Sequence, residues 1–290
     1  MPCVPFRARG SIEKGGIGVA DGDVLDVRES LEMASAAEVR GAIRSGRWRG
    51  TTHGLAKGHV QANLAIVPEE FALDFMRFCH RNPKPCPLLD VTDTGDPEFR
   101  QIAPGSDVRT DLSGYSVYRN GALSAQVGDL RDLWRDDLVA FAMGCSLSFD
   151  AVLLANGLDV KHLRAPGGRI AVYTSGLACA PAGPFAGPMV VSLRPVPNDQ
   201  VARVTEVTSR YPATHGGPVH IGDPAEIGIT DVAAVDWGLP PEIGPNETCM
   251  FWGCGVTPQA VAMAAKLPFM ITHTTGHMFL SDLKLEDITL

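Results

Sequence analysis

A mixed α/β fold is what this sequence predicts, and three observations predict it. Its 31 glycines and 22 prolines supply more turns than a helical bundle uses. A strongly amphipathic run, Pro68 to Asn82, stands between apolar segments of strand length. Two further stretches, Ala142 to Ala155 and Phe251 to Ala264, each pass from an apolar strand-like segment through a Gly-Cys pair into a helix-like run. With 290 residues, 45% of them hydrophobic, the chain can bury a full core and has room for two domains.

Taken in order, residues Met1 to Val27 are rich in glycine and charge and show no period, so they are expected to form a tail. Helical spacing starts at Ser30, read as an N-cap, carries Leu31, Ala34, Val39 and Ile43 along one face, and stops at Gly46. Pro68 opens the next helix. Glu69 and Glu70 in its first turn and Arg77, His80 and Arg81 in its last complement the helix dipole, while Phe71, Phe75, Phe78 and Cys79 line a core face. A proline-rich exit leads to a buried strand, Leu88 to Val91. Asn120-Gly121 marks a tight hairpin within YSVYRNGALSA. Leu138–Met143, Ile170–Thr174 and Met189–Leu193 read as strands, and Asn198–Arg210 as a helix. A last strand runs through FMITHTTGHMFLSDL, from Phe269 to Leu283.

The two Gly-Cys turns point to anion chemistry. Ser148 and Thr257 are placed to cap the helices that follow, and Pro258 suits a first helical position. The remaining amides, with Ser146 and Gly255 in the turns, would favour a carboxylate and would lower the pKa of Cys145 and Cys254. Taken singly, either cysteine reads first as a small buried residue, and it is the pair of similar turns that points to a site. The loop from Arg210 to Pro224 brings His215, His220 and Asp223 among three glycines, a set suited to acid/base work or to a metal, or else to capping neighbouring carbonyls. His273 and Asp282 follow as further candidates. His273 and His277 would share a helical face, but Gly276 between them argues against a helix.

Composition excludes other classes. The net charge is −8, with no basic run that could track a nucleic-acid backbone. Seven cysteines without a CxxC pair form neither a disulfide framework nor a zinc ribbon, which points to a reducing compartment. Neither a signal peptide nor a membrane span is legible, so a cytoplasmic protein without membrane partners is expected.

Seven segments in order, KGHVQANLAIVP, FCHRNPKPCPLLDV, DVRTDLSGY, AMGCSLSFDAVL, SRYPATHGGPVHIGDP, FWGCGVTPQ and ITHTTGHMFLSDL, resemble the D-glutamate cyclase family. The resemblance runs from Arg40 to Leu283 and departs from the family at Ser113 and Thr275, where proline is usual. It implies a three-layer α/β portion (residues 28–111 and 197–290) with a smaller two-layer α+β portion (112–196). It also implies closure of D-glutamate to 5-oxo-D-proline with loss of water. Such chemistry needs one base, one acid and an anion pocket. His215 and His220, oriented by Asp223, are the expected acid and base. Arg81 or Arg109 would clamp a carboxylate, with Asn82 and Asp111 nearby in sequence. A divalent metal could instead polarise the γ-carboxyl. Two alternatives stand beside this reading: a cofactor-independent racemase using Cys145 and Cys254, and a non-catalytic binder of acidic metabolites. The partner expected in each case is a small acidic molecule, and a homo-oligomer is compatible with all three.

Overall fold

The computed structural model describes residues 21–158, 160–164 and 169–290. Two helices open it, α1 (Asp21–Glu32) and α2 (Ala36–Arg44). The expected tail lies outside the described residues as far as position 20, and its end belongs to α1. Ser30 is inside α1 rather than capping a helix; the cap is Ser35. Its hydroxyl accepts from the Glu38 amide at 3.3 Å while Glu38 accepts from the Ser35 amide at 2.8 Å, a reciprocal box that restarts the helix.

Then follow β1 (His59–Pro68), α3 (Glu69–Arg81), β2 (Leu88–Val91), β3 (Tyr115–Arg119), β4 (Ala122–Val127), β5 (Leu138–Gly144) and α4 (Leu147–Ala155). The second half of the chain contributes β6 (Ala171–Ala178), β7 (Pro188–Pro197), α5 (Val201–Ser209), β8 (His220–Ile221), β9 (Glu247–Gly253) and α6 (Thr257–Ala264). β10 (Met270–His273) and β11 (Phe279–Lys284) close it. The β3–β4 hairpin turns at Asn120 and Gly121, both with positive φ (51° and 78°), as the Asn-Gly pair predicts. The single strand expected at the C-terminal end is two, because Gly276 (φ 86°) turns the chain. β2 is an edge strand and only half buried, so it is not the core strand its apolar residues suggest.

All strand pairs are antiparallel. One sheet has the order β2-β5-β1-β10-β3-β4, with β11 also on β1; the other is β6-β7-β9-β8. Among the described residues, 112–196 therefore form no sheet of their own: β3, β4 and β5 join the larger sheet, β6 and β7 the smaller.

The two sheets repeat one plan. In each, a fully or mostly buried strand (β1, β7) leads to a helix (α3, α5), an edge strand (β2, β8), a central partner (β5, β9) and a second helix (α4, α6). The second helices are exchanged. Phe149 and Leu153 of α4 pack with α5 on Met250 and Trp252 of β9, whereas Val261 and Ala262 of α6 pack with Phe75 and Phe78 of α3 over the larger sheet. Each half thus completes the other's core. Among the described residues, no helix is long and apolar enough to cross a membrane.

The exchange brings backbone against backbone at the two Gly-Cys turns. A Cβ on Gly144 would lie 1.8 Å from the Ala213 carbonyl oxygen, and one on Gly253 would lie 2.9 Å from the Lys84 carbonyl carbon. Gly41, by contrast, has open space around it in α2. Urea titrations should therefore show Gly144→Ala losing about 3 kcal/mol or more from overpacking, and Gly41→Ala gaining up to about 1 kcal/mol from helix propensity.

Candidate active site

The twin turns are built alike down to single hydrogen bonds. Gly144 stands opposite Ala62 and Gly253 opposite Val191 in their ladders. In the first turn, the Cys145 amide donates to the Gln61 carbonyl (3.0 Å) and the Ser148 hydroxyl accepts from the Gln61 amide (2.9 Å). In the second, the Cys254 amide donates to the Val190 carbonyl (2.9 Å) and the Thr257 hydroxyl accepts from the Val190 amide (3.0 Å). Ser148 and Thr257 are therefore not N-caps. They lie within the first helical turn and fasten the helix to the neighbouring strand; the cap positions are Ser146 and Val256, without side-chain caps.

The free helical amides turn instead to sulfur: Leu147 toward Cys145, Gly255 and Val256 toward Cys254. The lowered thiol pKa expected from such amides does not follow. Burial outweighs them, pushing Cys145 up to about 12 and raising Cys254 as well, because a thiolate there would lose its hydration.

Beside the turns lies a charged cluster that the sequence motifs do not name. Arg194, buried in β7, donates to Asp150 of α4 at 2.9 Å and to Ser146 and Ser192 at 3.3 Å. Its guanidinium sits between the rings of Phe149 (5.1 Å) and Trp252 (5.2 Å). Asp150 meets His162 Nε2 at 2.8 Å with its other oxygen. Burial works against the Asp150 charge, but Arg194 and then His162 outweigh it and hold the carboxyl below its ordinary range. An ionised Asp150 accepts only, so His162 carries its proton on Nε2 and leaves Nδ1 open. The His53 ring lies 6.5 Å from that of His162, and burial favours its neutral form.

His215 belongs to the same seam. It takes a left-handed backbone (φ 82°), uncommon outside glycine, and its Nδ1 meets the Lys84 carbonyl at 2.7 Å. The Lys84 ammonium in turn donates to the Gly217 carbonyl at 2.8 Å, so the loops after α3 and α5 clasp each other. A carbonyl partner fixes the proton on Nδ1 and leaves Nε2 as an acceptor. Burial lowers the His215 pKa to about 4, with Arg194 and Lys84 adding to the effect.

The other sequence-predicted residues are bonded elsewhere. His220 Nε2 meets the Asp223 backbone carbonyl at 2.9 Å, while the Asp223 carboxylate accepts from the Ala225 amide and caps the short helix Pro224–Ile227. His273 accepts from the Leu64 amide at 3.2 Å. Asp282 pairs with Arg40, Asp111 with Arg44, and Arg109 with Asp107, all at 2.7–3.0 Å. Arg81 reaches the Pro181 carbonyl, and Asn82 bonds Ala180 through both its amide and its carbonyl, together fastening α3 to the loop before β7. Gly255 lies against Asn63. The structure thus gathers Cys145, Ser146, Cys254 and His215 around Arg194, and adds Asp150, His162 and His53. The available signal for the additions was a charge inside an otherwise apolar element: Arg194 in MVVSLRP and Asp150 in SFDAVLLA.

A cavity of about 340 Å³ opens beside this cluster, with Arg194, His162, Lys161, Arg164, Arg169 and Glu242 in its wall. Lys161 is paired with Glu247. Among the described residues, no three His, Cys, Asp or Glu side chains converge into a group that could hold a metal ion.

Fold and site together define an α/β protein with a largely cationic cavity beside its smaller sheet. The comparisons are specific. The D-glutamate cyclase family model matches residues 139–282. A protein of Stutzerimonas stutzeri named "Putative hydro-lyase" is 54% identical over 88% of this chain and 96% of its own length. Proteins with the same name from Rubrobacter xylanophilus and Dinoroseobacter shibae are 53% and 50% identical, over 85% and 89% of this chain and 95% and 86% of theirs. The chain belongs to the D-glutamate cyclase family.

The buried histidines make stability pH-dependent. His215 and His273 both titrate near 4 in the fold, against 6.5 when free. Their lowered values stabilise the protein fully above about pH 6.5, and that contribution fades as pH falls toward 4, on the order of 3 kcal/mol for each. Urea midpoints between pH 7.5 and 4.5 should drop steeply for the native protein and more gently for His215→Gln and His273→Gln.

Proposed function

We propose that the protein closes D-glutamate to 5-oxo-D-proline with release of water. The observation that carries this reading is His162, oriented by the ionised Asp150 and set with Arg194 in the wall of a largely cationic cavity. Family membership supports the same chemistry. Ring closure forms a bond between the amine nitrogen and the γ-carbon and breaks a carbon–oxygen bond. From the ammonium and the γ-carboxylate, two protons leave nitrogen and two reach the departing oxygen, which goes as water; the first moves before attack and the second as the ring closes.

In this reading the open Nδ1 of His162 accepts a proton from the amine and then delivers it to the leaving oxygen. Arg194 faces the γ-carboxylate and favours the negative charge that gathers on oxygen during attack. Holding the five-carbon chain bent converts attack into a positioned intramolecular event, worth several kcal/mol.

One observation favours the paired-cysteine racemase instead: Cys145 and Cys254 come from equivalent turns of the two halves. The burial that raises both thiols weighs against it, since proton abstraction needs a thiolate.

Purified protein should convert D-glutamate, followed by chiral chromatography, with the α-proton retained in deuterated water. His162→Asn should lower turnover about a hundredfold or more while its circular dichroism spectrum stays native, and Cys145→Ala should remain active. No lactam from either enantiomer, with or without added divalent metal, sinks the reading. Deuterium exchange at Cα that disappears in Cys145→Ala and Cys254→Ala establishes the racemase.

A further inference from the structure

The cavity wall carries charges of two kinds. Arg194, His162 and Lys161 are engaged by Asp150 and Glu247. Arg169 and the Glu242 carboxylate, which also line the cavity, make no hydrogen bond or ion pair among the described residues. The Glu242 backbone carbonyl accepts from Lys161 at 3.3 Å, which ties its segment to the cavity rim. Among the described residues, the wall therefore offers Arg169 as an unspent cation and Glu242 as an unspent anion, with the buried Arg194 as a third polar point.

That complement matches a zwitterion. We propose that Arg169 and Glu242 form the amino-acid recognition site of this cavity, Arg169 taking the α-carboxylate and Glu242 the α-ammonium of a dicarboxylic amino acid. The third point, Arg194 with His162, receives the distal carboxylate. Three unlike points on one wall distinguish enantiomers, because a mirror-image ligand can satisfy only two of them at once. Neither residue belongs to a sequence motif: Arg169 follows a Pro-Gly-Gly run and Glu242 a Pro-Pro pair. The proposal rests on the preceding section only in taking glutamate as the ligand. It concerns binding and needs no turnover.

Calorimetric titration of the full chain with four probes tests it: D-glutamate, L-glutamate, glutarate (which lacks the amine) and 4-aminobutyrate (which lacks the α-carboxylate). Arg169→Gln should weaken D-glutamate and glutarate tenfold or more and leave 4-aminobutyrate unchanged. Glu242→Gln should weaken D-glutamate and 4-aminobutyrate by a similar factor and leave glutarate unchanged. That crossed pattern cannot arise from general damage to the fold, which would weaken every probe alike. Equal loss of all probes, unchanged D-glutamate affinity in both variants, or no binding by the native protein overturns the assignment. If the crossed pattern appears without any lactam, the site stands and the cyclisation reading falls. Lactam formation that both substitutions leave untouched has the reverse meaning.

Discussion

A guanidinium taken into a protein core costs several kcal/mol unless its surroundings replace its water, and the environment of Arg194 is arranged to do that. Asp150 supplies the counter-charge, Ser146 and Ser192 supply acceptors, and two aromatic faces cover its planes. The partners come from both sides of the duplication: Asp150 and Ser146 follow a strand of the larger sheet, while Arg194 and Ser192 lie on a strand of the smaller. The ion pair can form only when α4 has crossed to its neighbour's sheet. Correct exchange of the second helices and assembly of the site are therefore one event.

The exchange explains why the glycines precede the cysteines. Gly144 and Gly253 are the points where each half's central strand meets the other half's connecting loop, at distances no side chain tolerates. The cysteine that follows each glycine turns its sulfur to the helix amides, and the hydroxyl three residues further on locks the helix to the adjoining strand. A device that reads as an anion cradle is, in the folded chain, a joint whose polar groups are already satisfied. The cation-lined surface lies beside it, at the cavity bordered by Arg194 and His162.

Much of the fold was legible because its signals are local. The dipole-matched charges of α3, the Asn-Gly hairpin and the repeated strand-turn-helix pattern act over a few residues, and each element stands where they place it. The cap at Ser30, the core character of β2 and the unbroken last strand were misread where a neighbouring element overrode the local pattern: a reciprocal Ser35–Glu38 box, an edge position, a turn at Gly276. Of the residues gathered around Arg194, His215 and the two cysteines stand out in the sequence by their glycine context. Asp150, His162 and Arg194 were not, because 44 residues separate Asp150 from Arg194 and only the packed halves bring them into contact.

The sequence by itself determined the mixed fold class, the two Gly-Cys joints and the family resemblance, since each rests on neighbours along the chain. Only the tertiary structure decided that the joints fasten their helices to neighbouring strands, that burial raises their thiol pKa values, and that Arg194 and Asp150 meet. Those outcomes depend on burial and on contacts between distant segments. Charge and solvation are properties of the assembled interior, and no window of adjacent residues specifies them.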